Sequence, residues 1–244
     1  MTIKESSFKS TVVCPGSPEE IHMKECTGLT CEDWHNVTEA NILSKWDFHH
    51  MAMAKFFGLF SKCMSRQIGA IIVSDKRIIS TGYNGPPEGA HHCDSKERLD
   101  EIIVTYYNAP CDRELAFKLS DEWGTACPRK VLGFKSGEGL HLCPAAHAET
   151  NAIVNAARDG SKVKGATMYC YCPMPCFECT KLIINAGIRK VFYTSGSSYD
   201  KMSPLLFKGS NAHLIPVSKE TVDQHYLSLM PNLVEAVDNA IYSP

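Results

Sequence analysis

The chain has 244 residues, with 25 Lys and Arg against 27 Asp and Glu and a formal net charge of −2 at pH 7. This balance excludes the broad basic surface with which proteins attract nucleic acids or anionic membranes. Hydrophobic residues make up 44% and charged residues 21%, which is typical of a globular protein and excludes wholesale disorder. Because the chain lacks an apolar run of about 18 residues and an apolar signal peptide, we expect a cytoplasmic protein that binds neither nucleic acid nor membrane.

The N-terminal part of the sequence predicts an extension, a helix and a β-hairpin. Residues 1–44 show no period and are predicted to be an N-terminal extension. Residues 46–60 carry apolar side chains at helical spacing. Two strand-like runs at 68–73 and 77–83 are separated by Ser-Asp-Lys, and turn chemistry between two such runs predicts a hairpin.

The middle of the chain predicts a loop followed by an insertion. Residues 84–89 read Asn-Gly-Pro-Pro-Glu-Gly, and two prolines with two glycines oppose regular structure. Residues 90–142 predict an insertion inside the domain, because no linker composition sets them apart. One helical stretch is predicted within it, near 113–119.

The second half of the sequence alternates between helical and strand-like patterns. In chain order these are a helix at 144–158, a strand at 167–172, a helix at 176–186 and strands at 190–194 and 213–217. Such alternation predicts α/β layers around a mainly parallel sheet, to which the hairpin adds an antiparallel pair. Residues 219–244 predict a C-terminal helical tail that Pro231 interrupts.

Two short segments in this half have the spacing of zinc ligands. The chain has 12 cysteines, and in a reducing compartment cysteines bind metals or stay buried rather than form disulfides. Cys176 and Cys179 begin one predicted helix three residues apart, so both sulfurs face one point. His147, at the start of the other helix, supplies a third ligand. A catalytic zinc takes three protein ligands and leaves the fourth position for water.

Glu149 has a different expected role, because this zinc needs no further ligand. At the first turn of its helix the carboxylate reaches past the helix end beside His147, which predicts a proton shuttle. The positive ends of both helices favour thiolates. A Cys-x-x-Cys pair alone also fits structural zinc or a redox pair, but the preceding His-x-Glu favours catalytic zinc.

The pairing of His-x-Glu with Pro-Cys-x-x-Cys is the signature of zinc nucleobase deaminases. Here the chain resembles the deoxycytidylate (dCMP) deaminases, in the phage-type branch of the cytidine/deoxycytidylate deaminase superfamily. Further similar stretches are Ser-Arg-Gln-Ile-Gly-Ala at 65–70, the loop at 82–89 and the run at 181–192. The similarity covers residues 46–217. The stretch 171–176 is one residue longer than the family's usual one, so the resemblance does not predict the wall of the base pocket.

The resemblance implies a fold, a reaction and several contacts. The fold is a three-layer α/β/α domain at 45–218 with a five-stranded mixed sheet. The reaction is hydrolysis of dCMP to dUMP and ammonia, which supplies dUMP for thymidylate synthesis. Water activated at the zinc attacks C4. Glu149 takes the water proton and gives it to ring N3, and then protonates the departing amino group. The backbone at Ala148 contacts the base and Asn84 contacts the sugar, while Arg66 is a candidate phosphate contact.

A second, structural zinc is also expected, because some phage-type members carry one. Cys63 and Cys93 match two of its cysteine ligands. Ala146 stands where the family has an acidic ligand, so His141, Cys143 or His91 would complete the set. Buried free cysteines are the alternative.

Regulation and assembly are implied by the resemblance alone. The family suggests a homo-oligomer, often a hexamer, activated by dCTP and inhibited by dTTP at sites that include Mg²⁺. The candidate effector residues lie in one loop and are Gly82, Tyr83, Gly85 and Gly89.

Four alternatives stay open. In the first, the substrate pocket accepts dCTP as well as dCMP. In the second, the substrate is a base within RNA or DNA. In the third, the metal belongs to a non-enzymatic zinc-stabilised module, which predicts four protein ligands. In the fourth, Asn84 serves as a left-handed turn residue rather than as a substrate contact.

Overall fold

The computed structural model describes residues 43–106, 124, 126–194 and 201–229. The chain divides into two compact units, Met1–Ser44 and Lys45–Pro244. Most of the predicted extension, the helical stretch near 113–119 and the tail beyond 229 lie outside the described residues. None of the described helices is long and apolar enough to cross a bilayer.

The fold begins with a helix and a hairpin. Helix α1 (Lys45–Gly58) precedes strands β1 (Gly69–Ser74) and β2 (Arg77–Tyr83). Asp75 and Lys76 join the strands with φ angles of 49° and 64°, as the tight turns of twisted hairpins require. The predicted hairpin is therefore confirmed.

Further helices and strands follow in chain order: α2 (Lys96–Tyr106), α3 (Pro128–Val131), a 3₁₀ turn (Leu140–Leu142), α4 (Ala148–Arg158), β3 (Thr167–Cys170), α5 (Phe177–Asn185), β4 (Lys190–Thr194), α6 (Ser203–Lys208), β5 (His213–Val217) and α7 (Lys219–Ser228). The strands form one sheet in the order β2-β1-β3-β4-β5. β1 pairs antiparallel with β2 and β3, whereas β3, β4 and β5 run parallel. Helices α5 and α6 are the crossovers that parallel neighbours need, and the predicted five-stranded mixed sheet is confirmed.

Helices cover both faces of this sheet. Ile72 and Met168 on one face belong to the buried cluster that contains Ala152 of α4 and Ile183 of α5. On the other face, the Tyr169 hydroxyl donates a 2.6 Å hydrogen bond to Asp47 of α1. Since neighbouring residues of a strand face opposite sides, α1 and α4 lie on opposite faces. The predicted three layers are present.

Two elements are shorter than predicted at the ends that lie next to the candidate site. The helix predicted at 144–158 starts only at Ala148, because Ala146 pairs instead with Gly85 through hydrogen bonds of 2.8 and 3.1 Å. The strand predicted at 167–172 ends at Cys170, although Tyr171 and Cys172 each keep one hydrogen bond to a neighbouring strand, to Gly69 and Thr194 respectively.

Candidate active site

Two side chains of the site stand at the starts of helices. His147 is the N-cap of α4 and Cys176 is the N-cap of α5, both with extended backbone (ψ 154° and 167°). An N-cap side chain lies beyond the first turn rather than along the helix surface. The two side chains therefore project towards each other, and the prediction that both helices begin at their ligands is confirmed.

The three predicted ligands lie together. The His147 Nδ1 atom is 3.3 Å from the Sγ atom of Cys176 and 3.3 Å from that of Cys179. Zinc bonds of about 2.0 Å to nitrogen and 2.3 Å to sulfur place these atoms about 3.5 Å apart around a tetrahedral ion. The donor set and its spacing thus fit zinc, with three protein ligands and one corner of the tetrahedron left over.

The site's charges also favour a cation. Hydrogen bonds with the side chain of Cys179 and with the imidazole of His147 hold the pKa of Cys176 well below its ordinary value. Burial acts in the opposite direction but is outweighed. The hydrogen bond that Cys179 shares with Cys176 raises the pKa of Cys179, and burial raises it further. The neighbours of Cys176 thus favour its thiolate form. A divalent cation deprotonates a coordinating thiol outright, which makes both sulfurs good ligands.

Glu149 is buried beside this group, with 4% of its surface exposed. Burial raises the pKa of its carboxyl group, although His147 opposes the shift. An acid that is neither fully exposed nor tied up in an ion pair can take and return a proton near neutral pH. Its position matches the predicted shuttle.

Two residues of the site were missed by sequence reasoning. The Thr150 hydroxyl lies 3.6 Å from the Cys179 sulfur, and the Cys172 thiol donates to Glu149 Oε1 at 3.8 Å. The three-residue spacing from His147 to Thr150 on a helix was an available signal for Thr150. Cys172 was assigned to a buried strand as a core residue, because its place beyond the strand end depends on how the chain turns there.

Gly82 positions α4, and with it His147. A Cβ atom on Gly82 would lie 2.3 Å from the carbonyl oxygen of Ala148, so only glycine allows α4 this close to β2. The Ser80 hydroxyl donates to the Ala152 carbonyl at 2.7 Å, and the Asn155 amide donates to the Thr81 carbonyl at 2.9 Å. The close approach and these bonds give Gly82 a packing role and fix the helix start.

Asn84 and Arg66 lie next to each other. Asn84 is buried, and its side chain accepts from Ile68 N at 2.8 Å and donates to Arg66 O at 3.0 Å. Among the described residues only Asp75 and Lys76 are non-glycines with positive φ, so the left-handed reading of Asn84 was wrong. The Arg66 guanidinium donates to the Ser136 hydroxyl at 2.8 Å.

Of the remaining loop residues, Tyr83 and Gly89 are exposed, whereas Gly85 is buried. Tyr83 is 44% exposed, and its ring contacts the ring of Phe60 at 6.0 Å. Gly85 holds the bridge to Ala146, and Gly89 has a φ of 82° that favours glycine. The loop is thus joined to the segment that leads into His147.

The three cysteines considered for a second zinc, Cys63, Cys93 and Cys143, form a group of four with Cys127. Burial, followed by the nearby thiols of Cys143, Cys127 and Cys63, raises the pKa of Cys93 to about 12. Cys127, which the sequence did not single out, belongs to this group. His141 instead contacts the ring of Phe134, with centroids 6.4 Å apart. Among the described residues, no three of these thiols lie within 4.8 Å of one another.

The region that contains this site matches a family of known proteins. The family model for the cytidine and deoxycytidylate deaminase zinc-binding region matches residues 44–195. The deoxycytidylate deaminase of Enterobacteria phage T2 is 36% identical over 152 residues, which cover 59% of this chain and 76% of the phage protein. The human deoxycytidylate deaminase is 32% identical over 157 residues, which cover 64% of this chain and 68% of the human protein. The dCMP deaminase of cyanophage S-TIM5, crystallised with dCMP and dUMP, is 22% identical, with a TM-score of 0.47, and covers 69% of this chain and 94% of its own.

Proposed function

The chain belongs to the cytidine and deoxycytidylate deaminase zinc-binding family, and we propose that it hydrolyses dCMP to dUMP and ammonia. The observation that carries the proposal is the convergence of His147, Cys176 and Cys179 beside a buried Glu149. The relatives named deoxycytidylate deaminase support dCMP as the substrate. The product, dUMP, would supply thymidylate synthesis.

The residues divide the work between binding and proton transfer. Zinc, when bound by His147, Cys176 and Cys179, supplies the acidity that makes a water nucleophilic at neutral pH. Glu149 takes a proton from that water and passes it to N3 of the cytosine ring, which makes C4 more electrophilic. The oxygen of that water would then add to C4, and the same carboxyl group would move its remaining proton to the amino group, which leaves as ammonia when the C4–N bond breaks. Thr150 holds the Cys179 sulfur in place during these steps.

Three residues are proposed to hold the substrate. The buried backbone at Ala148 would contact the base, since it lies between the ligand His147 and Glu149. The Asn84 side-chain amide donates one hydrogen to Arg66 O. Its second N–H hydrogen is proposed to donate to the sugar hydroxyl. Arg66 would reach the phosphate, for which the Ser136 contact orients its guanidinium.

A panel of substrates tests the proposal. The zinc-loaded protein is mixed with dCMP, dCTP, CMP and a cytosine-bearing oligonucleotide, and ammonia release is followed. We expect dCMP to react fastest, with dCTP as a second substrate to be compared. Turnover of the oligonucleotide alone would make the enzyme a nucleic-acid deaminase, and no turnover at all would favour a zinc-stabilised module.

Glu149→Gln tests the proton shuttle. A positioned general acid or base contributes about 10²- to 10⁴-fold, so kcat for dCMP is expected to fall by that factor. Glu178→Gln is the matched control, because Glu178 is 76% exposed and pairs with Lys181 at 2.6 Å. Full activity of Glu149→Gln would refute the shuttle.

A second, structural zinc is part of the proposal, with a revised ligand set. Cys63, Cys93 and Cys143 keep their proposed place, and Cys127 replaces His141 as the fourth ligand. The support is the clustering of these thiols around Cys93 and the frequency of four-cysteine structural zinc sites. All eight cysteines among the described residues are free thiols, which suits a reducing cytoplasm.

Assembly and regulation are proposed from the family resemblance. The chain would form a homo-oligomer, a hexamer in the family's usual form, and bind dCTP or dTTP with Mg²⁺ through Tyr83, Gly85 and Gly89. Gly82 is dropped from this set, since its role in packing α4 accounts for it. Light scattering and assays with added dCTP or dTTP and Mg²⁺ test both parts.

A further inference from the structure

The loop between β3 and α5 carries a thiol that touches the proposed proton shuttle. The Cys172 sulfur lies 3.8 Å from Glu149 Oε1 and is the donor. Both residues are buried, with 6% and 4% of their surfaces exposed. A buried carboxylate whose neighbours give it no partner costs free energy, so this contact stabilises one orientation of the Glu149 side chain.

The backbone around Cys172 is fixed from two sides. Tyr171 N donates to Gly69 O of β1 at 2.9 Å, and Thr194 N at the end of β4 donates to Cys172 O at 2.9 Å. The thiol is therefore placed by two neighbouring strands of the sheet rather than by a free loop. Four residues later the same loop delivers the ligand Cys176.

We propose that Cys172 is a positioning residue for Glu149, whose carboxylate it holds at the site through a thiol hydrogen bond. The inference rests on the proposed deaminase function. Contact with Cys170, followed by burial, raises the pKa of the Cys172 thiol, so the thiol keeps the proton that it donates. A carboxylate displaced by about 1 Å transfers protons poorly, because proton transfer needs hydrogen-bond distance.

The pair Cys172→Ala and Cys172→Ser tests the contact. Alanine removes the donor, and serine keeps a donor in a side chain of similar size. With dCMP as substrate, we expect kcat of Cys172→Ala to fall about tenfold, as for the loss of one hydrogen bond to a charged group, with KM and zinc per chain unchanged. Cys172→Ser should recover most of this loss.

A double-mutant cycle with Glu149→Gln separates positioning from a general packing effect. If Cys172 acts through Glu149, Cys172→Ala should not lower the residual rate of Glu149→Gln further. An equal loss in both backgrounds, or unchanged kcat in Cys172→Ala, would overturn the proposal.

A stability cycle gives a readout that does not need activity. Chemical unfolding of the wild type, Cys172→Ala, Glu149→Ala and the double variant should be non-additive, since both single changes remove the same contact. Additive effects would show that the contact is absent. Non-additive stability in a protein that deaminates none of the nucleotides would refute the proposed function and leave the contact standing. If Cys172→Ala fails to fold, Cys172→Thr and Cys172→Val provide the same donor comparison in matched shapes.

Discussion

The two cysteine-containing regions of the molecule differ in how they are built. His147 and Cys176 stand at the first residue of helices that pack on the sheet, and the third ligand, Cys179, lies on one of those helices. The second region collects Cys63, Cys93, Cys127 and Cys143 from connections between elements. Its thiols lie near Cys93, but no three of them among the described residues lie within 4.8 Å of one another.

The difference shows what a rigid element contributes to a metal site. Helix starts that are fixed on a sheet hold the ligands at zinc spacing, because packing of the helices already orders these residues. Ligands on loops are ordered only when the metal binds, so part of the binding free energy becomes folding free energy. The first region therefore suits chemistry, and the second suits stabilisation.

The largest effect is expected from the preassembled region. Cys176→Ser should lose the catalytic zinc and reduce turnover of dCMP by about a thousandfold or more, because the water is no longer acidified. Zinc content and ammonia release measure this. Cys143→Ser is the control from the other region, and its rate per catalytic zinc should stay near that of the wild type. A large loss in both variants would erase the contrast between the regions.

The loop-borne region should respond in metal content and stability. Wild-type protein is expected to hold two zinc ions per chain, Cys127→Ser one, and His141→Ala two. Removing a structural zinc should lower Tm by roughly 10 °C, since such an ion contributes directly to folding. Metal analysis and thermal unfolding check this. One zinc in the wild type, or two in Cys127→Ser, would contradict the four-cysteine set.

Gly82→Ala probes how the preassembled region is held. The new Cβ would approach the Ala148 carbonyl to 2.3 Å, so α4 must shift. Overpacking of this kind costs about 1–3 kcal/mol, and it should lower kcat as well, because His147 and Glu149 move with the helix. Gly209→Ala is a matched change, because Gly209 has a φ of −80° and a Cβ atom there would meet its nearest atoms at 3.8 Å. Unfolding curves with wild-type midpoint for Gly82→Ala would show that the helix start is not fixed there.

The smallest effect is expected away from both regions, where His49 Nδ1 and His225 Nε2 lie 2.9 Å apart. Burial, and then the charges of His49 and Lys45, lower the pKa of His225. The unfolded chain therefore takes up this proton at higher pH than the folded one, and stability falls as the pH drops below about 6.5. His225→Gln should flatten the dependence of unfolding free energy on pH between 7.5 and 5.5. An unchanged slope would rule out this pair as a source of acid sensitivity.

The sequence by itself determined the hairpin, the alternation of helices and strands and the spacing of the three candidate zinc ligands. These follow from local rules: hydrophobic period, turn chemistry and ligand types at a spacing that one helix turn fixes. The role expected for Glu149 also followed, because a residue two places from a helix-start ligand has few other positions. Residue types close in sequence carry that information without the rest of the fold.

Only the tertiary structure decided the partners that come from distant segments. It placed Cys172 on Glu149, put Cys127 beside the other three thiols, and gave Gly82 a packing role under α4. These contacts join residues that are tens of positions apart, and several arise where an element stops early. No local pattern encodes them, because they depend on how closely helices, strands and loops approach once the sheet is assembled.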